Sequence, residues 1–264
     1  MSADPIERGY DLVYDAWPNA RTLHRIWREQ VSGRDYPRGF EHISFASHDE
    51  LRRLSGALAL RPGDALADLA CGAGGSGLWV ARQTGARLTG IDLSSVGIAR
   101  ARARAAALHA HDARFFAGAF DRTGLPDRSM RAVMSLDALQ YAPDTASALR
   151  EVARILAPGG RFAFCAFVVD AARVAAVPGL WLDPVADYRA AIAVAGLRVV
   201  SYDSTPGWLE RVSAAYSAVI AARADLVDEM GAPATDALLG EMILTLELRP
   251  YRDRIFAVSE KPAA

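Results

Sequence analysis

Residues 68–77 read DLACGAGGSG, from Asp68 through Gly72 and Gly74 to Gly77. An apolar run, Ala65–Ala70, delivers the acid at the end of a strand, and the glycines then turn the chain into a helix over Ser76–Gln83. Glycine suits such a turn because a side chain would bar close approach to the backbone and because positive φ carries little steric cost for it. The helix start offers unpaired N–H groups to a negatively charged ligand group. Working outward, Arg87–Ile91, Arg114–Ala117, Ala132–Leu136, Arg161–Phe167, Leu197–Tyr202 and Ile255–Ser259 read as further strands. Helical patterns over Val96–Leu108, Thr145–Leu156 and Val185–Ala195 separate most of them. Strands alternating with helices imply βαβ crossovers, a mostly parallel sheet and helices on both faces.

The remainder reads as a helical cap. Residues 7 to about 60 are aromatic-rich, and Ser47-His48-Asp49-Glu50 has the form of a capping box opening a helix. A second, mainly helical segment begins at Gly207 and ends near Leu248. The expected organisation is one domain over 1–264: a cap at 1–60, a cofactor-binding core at 61–206, a helical insertion at 207–250, and a last strand and tail at 251–264.

Composition limits the function. With 52% hydrophobic and 23% charged residues and a net charge of −1, the chain has an ample core and no global attraction for nucleic acid or an anionic membrane. Lys261 is the only lysine, so the arginine excess reflects compositional bias rather than phosphate contacts. Arg100, Arg102 and Arg104 are read as a solvated helix face. Two cysteines, Cys71 and Cys165, make neither a disulfide framework nor a four-thiolate zinc site. A polar start and the lack of any run near ~18 apolar residues lead us to expect a cytoplasmic location.

Gly72, Gly74 and Gly77 also satisfy G-x-G-x-x-G, and Asp92 lies 18 positions beyond Gly74, close to the dinucleotide-binding fingerprint. A nicotinamide oxidoreductase is therefore a real competitor. Against it stand the acid at Asp68, where such sites carry apolar residues, and the aromatic preface.

The order of five segments decides between the two. DLACGAGGSG, GIDLS (Gly90–Ser94), FFAGAFDRTGLPD (Phe115–Asp127), AVMSLDALQYAPD (Ala132–Asp144) and LREVARILAPGGRFAF (Leu149–Phe164) follow one another in register. Together they resemble the class I S-adenosylmethionine-dependent methyltransferases, in the small-molecule branch related to sterol, ubiquinone and natural-product enzymes. The resemblance spans roughly Ala65 to Ala166. It implies a Rossmann-like, doubly wound seven-stranded sheet with an antiparallel last strand. It also implies S-adenosylmethionine as cofactor, S-adenosylhomocysteine as product, no metal, and methyl transfer to O, N or C of a small molecule.

Carried over by position, the resemblance implies that Asp68 engages the methionine end while Gly72 and Gly74 give backbone access. Asp92 would accept from both ribose hydroxyls, Leu93 would pack on the adenine, and Ala119 with Phe120 would lie along it. Ser135 and Leu136 would present backbone to the amine. Two positions depart from the family pattern: Ala70 replaces a glycine, and Ala119 stands where many relatives carry an aspartate. They leave open a relative that binds the cofactor without methylating, as a cyclase, isomerase or binding module.

Transfer from a sulfonium needs alignment, exclusion of water and, for some acceptors, a base. Tyr141 and Asp137 are the base candidates, and Gln140 an orienting group. Tyr14, Trp17, Trp181 and Trp208 are candidate walls of the substrate pocket. His24, His42 and His48 are read as packing or surface residues, and none has metal-ligand spacing.

Overall fold

The computed structural model describes residues 5–170, 172 and 184–263. Seven strands form one sheet: β1 (Ala65–Leu69), β2 (Arg87–Asp92), β3 (Ala113–Ala117), β4 (Met130–Leu136), β5 (Leu156–Val169), β6 (Arg198–Ser204) and β7 (Arg252–Glu260). Their order is β3-β2-β1-β4-β5-β7-β6. The first five run parallel, and β7 enters antiparallel between β5 and β6. Strand β5 begins earlier than its apolar run suggests, because Leu156 already pairs with Met130 before a register shift.

The period of two along the strands divides the core. Leu66, Leu88, Met134, Ala163 and Cys165 face one way and pack under α3 (His48–Ala57), α4 (Gly75–Thr84) and α5 (Ser95–Ala107). Ala67, Ile91, Val133, Phe162 and Phe164 face the other and pack on α6 (Thr145–Ile155) and α7 (Arg189–Val194). Several ends follow from their residues. Ser47 and Glu50 exchange both capping-box hydrogen bonds at α3, and Asp144 caps α6 through the Ala146 and Ser147 amides.

The cap is built from two distant stretches. Helices α1 (Pro5–Ala16) and α2 (Arg21–Trp27) share a third apolar cluster with α8 (Trp208–Ala221), α9 (Arg223–Met230) and α10 (Ala232–Leu248). Val13, Trp17, Leu23 and Trp27 meet Val212, Tyr216, Leu226 and Leu238 there, and Phe45 and Phe167 link the cluster to the sheet. Among the described residues, no helix is long and apolar enough to cross a membrane.

A buried ion network joins cap to sheet. The Arg254 side chain is fully enclosed; its Nε donates to Asp137 Oδ1 at 2.7 Å and its Nη1 to Glu50 Oε1 at 3.2 Å. Arg211 of α8 reaches the same Glu50 oxygen at 2.6 Å, and the Phe45 amide donates to Asp137 Oδ2 at 2.8 Å. Asp137 itself sits at φ 55°, a left-handed conformation that costs a non-glycine residue about 1–2 kcal/mol. The ion pair and the Phe45 bond hold it there. Asp137→Ala should therefore destabilise the fold by about 3–5 kcal/mol, since it strands a buried guanidinium; urea unfolding of the two proteins measures the difference.

Candidate active site

The register of β1 on β2 brings the glycine turn beside the tip of the second strand. Asp92 Oδ2 accepts from the Gly72 amide at 2.7 Å, and Oδ1 accepts from the Ser94 amide at 2.9 Å. One carboxylate thus ties two strand-end loops together while remaining open to a cavity of about 270 Å³. Asp68 lines the same cavity, buried and without an ion-pair partner among the described residues. Burial first, and the neighbouring Asp92 second, push its carboxyl up to about 8. Burial raises Asp92 as well, against the two amides that stabilise its charge. Two enclosed carboxyls without a counter-cation make a receptor for a ligand that brings positive charge and hydroxyl donors.

Helix α1 closes over this end. Ser94 Oγ donates to Asp11 Oδ1 at 2.5 Å, and Arg100 Nη2 donates to the Asp15 carbonyl at 2.9 Å. Tyr14 then lies across the turn: a Cβ on Gly72, whose φ is 52°, would overlap the Tyr14 hydroxyl. Arg102 and Arg104 donate to the Phe115 and Ala73 carbonyls, at 3.0 and 2.6 Å. Arg102 is exposed, as expected of a solvated face, while Arg100 and Arg104 are half-buried; all three also donate to neighbouring loops, which the reading as a merely solvated face missed.

Other polar groups enter from the roof. Tyr141, after β4, donates its hydroxyl to Glu241 Oε1 of α10 at 2.6 Å. Tyr10, Tyr216 and Arg252 line the cavity with them. Burial pushes the Glu241 carboxyl up, and the Tyr141 hydrogen bond and the Arg252 charge act in the opposite sense. Burial, then Glu241, drives the Tyr141 phenol well above its ordinary value, so it stays a neutral donor. His42 also borders the cavity, with its pKa lowered by burial to about 4.

Comparison with known proteins agrees with this geometry. Residues 66–160 match the family model described as a methyltransferase domain. Over 224 residues the chain is 31% identical to the 27-O-demethylrifamycin SV methyltransferase of Amycolatopsis mediterranei, covering 77% of this chain and 79% of that protein. The chain belongs to the class I S-adenosylmethionine-dependent methyltransferases. It is one of the branch that methylates small molecules, and it is also 30% identical over 176 residues to methyltransferase GfsG of Streptomyces halstedii, with 61% and 62% coverage. The crystal structure of the cyclase SpnF superposes with a TM-score of 0.76 over 98% of this chain and 96% of that one, at 20% identity. That likeness speaks of the fold alone. With the family shown, the nicotinamide reading of the glycine pattern is set aside.

The methyltransferase brings most of the expected positions to one cavity: Asp68, Gly72, Asp92, Leu93, Ala119, Phe120 and Leu136 all line it, as do Tyr14, Trp17, Asp137, Gln140 and Tyr141. Leu93, 45% exposed beside Asp92, offers the open apolar surface a nucleobase needs. Ala70, at the departure from the glycine pattern, is held at φ 60° and still borders the cavity. Four expectations change. Gly74 does not border the cavity: at φ 76° it makes the turn, and a Cβ there would press on Ala101 and Phe115 at 3.0 Å. Ser135 is fully buried inside β4, one residue short of where the cavity begins. Trp208 packs on Phe167 at 5.5 Å and donates to Asp253 Oδ1 at 2.6 Å, outside the cavity lining. Asp137 reaches the cavity, but both its oxygens are engaged by Arg254 and Phe45, which makes it a poor base. Trp181 lies outside the described residues.

Glu241 and Arg252 were not anticipated. A usable signal existed for Glu241: Leu238, Glu241, Met242 and Thr245 have the i, i+3, i+4, i+7 spacing of one helix face, and all four line the cavity. Among the described residues, no cluster of three or more His, Cys, Asp or Glu could hold a metal ion.

Asp92→Ala should lose about 100-fold or more in S-adenosylhomocysteine affinity by calorimetry, since charge-assisted hydrogen bonds contribute about 1.5–3 kcal/mol each. The Asp68 shift gives a pH signature with a definite sign. Binding of a cationic ligand favours the carboxylate, so affinity should strengthen as pH rises from 6 and level off above 8. In Asp68→Asn that rise should shrink. The same linkage makes the ligand-free protein less stable as pH climbs toward 8, because the folded state holds the proton that the unfolded carboxyl has released.

Proposed function

We propose that this methyltransferase acts on a hydroxyl oxygen of a small natural-product acceptor held under the helical cap. The observation that carries the reading is the Glu241–Tyr141 pair at 2.6 Å in the wall of the chamber that also contains Asp68 and Asp92. A relative named as a 27-O-demethylrifamycin SV methyltransferase and one named as an O-methyltransferase, resE of Aspergillus sclerotiorum, support oxygen as the methylated atom. A cyclase without methyl transfer draws only on likeness of fold, and the methyltransferase relatives weigh against it.

S-adenosylmethionine, when bound, supplies a methyl group already activated on a sulfonium. Asp92 would hold the ribose hydroxyls, Asp68 would balance the charge of the amino-acid tail, and Leu93 with Phe120 would flank the base. Tyr14 and Trp17 of the cap exclude water from the reacting atoms, which sharpens alignment. At the acceptor, Glu241 would take the proton of the hydroxyl that receives the methyl group, while the S–CH3 bonding pair would return to sulfur in the departing S-adenosylhomocysteine. Burial raises its carboxyl above the ordinary range, which makes it a stronger base for that exchange. Tyr141 keeps the carboxylate oriented, and Gln140, whose Nε2 donates to the Asp137 carbonyl at 2.6 Å, orients the acceptor through its remaining polar atoms. The whole of 1–264 works as one domain, with 1–60 and 207–250 roofing the core at 61–206. The partners proposed are the acceptor and the cofactor, with no role for nucleic acid or membrane.

Transfer of labelled methyl from the cofactor into hydroxylated acceptors tests the reading. Glu241→Gln should lower kcat by about 100-fold or more, the usual scale for a general base, and leave S-adenosylhomocysteine affinity within about twofold. An unchanged kcat in that variant would remove Glu241 from the mechanism.

A further inference from the structure

Arg252 opens β7 and lines the cavity, with only 8% of its surface exposed. Its Nε and Nη2 atoms are enclosed and have no hydrogen-bond acceptor among the described residues. Arg254 provides an internal comparison. It lies two residues further on, hence on the same face of the strand, and is also buried, but it is met by the carboxylates of Asp137 and Glu50. Arg252 is met by rings instead. Phe167 and Trp208 lie 4.6 and 5.6 Å from its Cζ. Aromatic faces attract the cation, but they supply no acceptor in the plane where its N–H groups point.

Other nearby acids do not fill that role. Glu241 feels the charge of Arg252 without forming an ion pair with it, and accepts from Tyr141. Asp253, the next residue, accepts from Trp208 and Ser204. A buried guanidinium with unmet donors is unfavourable in isolation, and its rigid planar fork matches a carboxylate bidentately. Buried donors beside a cavity are explained when the ligand of that cavity carries the acceptor.

We propose that Arg252 is an acceptor-binding residue that selects small molecules carrying an acidic oxygen group, a carboxylate or its enolate equivalent, in addition to the hydroxyl that is methylated. This rests on the reading of the Glu241 chamber as the acceptor site. The aromatic groups of Tyr10, Tyr216 and Phe167 make the rest of that chamber suited to a flat, largely apolar body.

Calorimetric titration of the S-adenosylhomocysteine-loaded protein with hydroxynaphthoate, and with its neutral carboxamide, tests the proposal without depending on turnover. The wild-type protein should bind the carboxylate at least about tenfold more tightly than the amide. Arg252→Met should bring the two within about twofold while S-adenosylhomocysteine binding persists. Arg252→Lys keeps the buried charge, so it serves if the Met variant does not fold; its preference should fall below that of the wild type because the fork is gone. No measurable preference in the wild-type protein overturns the proposal, as does a preference that survives undiminished in the Met variant or, where that variant does not fold, in the Lys variant. Methyl transfer by Glu241→Gln is a separate arm. Normal turnover there removes the proposed base and leaves the anion site to be judged by the binding data.

Discussion

The contact between Asp137 and Arg254 is the constraint on which the site's architecture depends. It joins the irregular chain after β4 to the antiparallel strand β7 across 117 positions of sequence. Through Glu50 it also reaches the first turn of α3, and through Arg211 the helix that begins the late insertion. Arg254 and Asp137 are both buried, so neither can leave its partner without stranding a charge. The consequence is positional. Gln140 and Tyr141 follow three and four residues after Asp137, and Phe45 is hung from the same carboxylate, so cap and cavity wall share one anchor.

Around that anchor the cavity is lined by several titratable groups that have no ion-pair partner among the described residues. Asp68 and Asp92 sit together at the ends of β1 and β2, while Glu241 comes from the roof and Arg252 from the start of β7 without pairing. Enclosing such groups without partners is unfavourable in the protein by itself.

The cap explains how a common sheet acquires a particular pocket. Helices α1 and α2 precede the sheet, and α8 to α10 interrupt it before the last strand, yet their apolar faces form one cluster. Neither stretch buries its stripe alone. Tyr10, Tyr14 and Trp17 from the first, and Tyr216, Leu238 and Glu241 from the second, reach the cavity only because the two pack together over the strand ends.

Much of the core was readable from the chain. The glycine turn at 72–77, the acid at Asp92, the capping box at Ser47 and the seven strands are each specified by residues close in sequence, because turns, caps and strand periods are local properties. Most positions expected at the cofactor end line one cavity for the same reason. Gly74 and Ser135 were assigned to the ligand because motif position does not reveal which way a turn or strand residue faces. What the tertiary structure decided was which charges meet. Asp137 reads as a free acid until Arg254 arrives from the far end of the chain, and Glu241 reads as one more acid in an apolar helix until α10 is laid over Tyr141. A buried charge takes its role from the partner that packing brings to it, and nothing in its neighbouring residues names that partner.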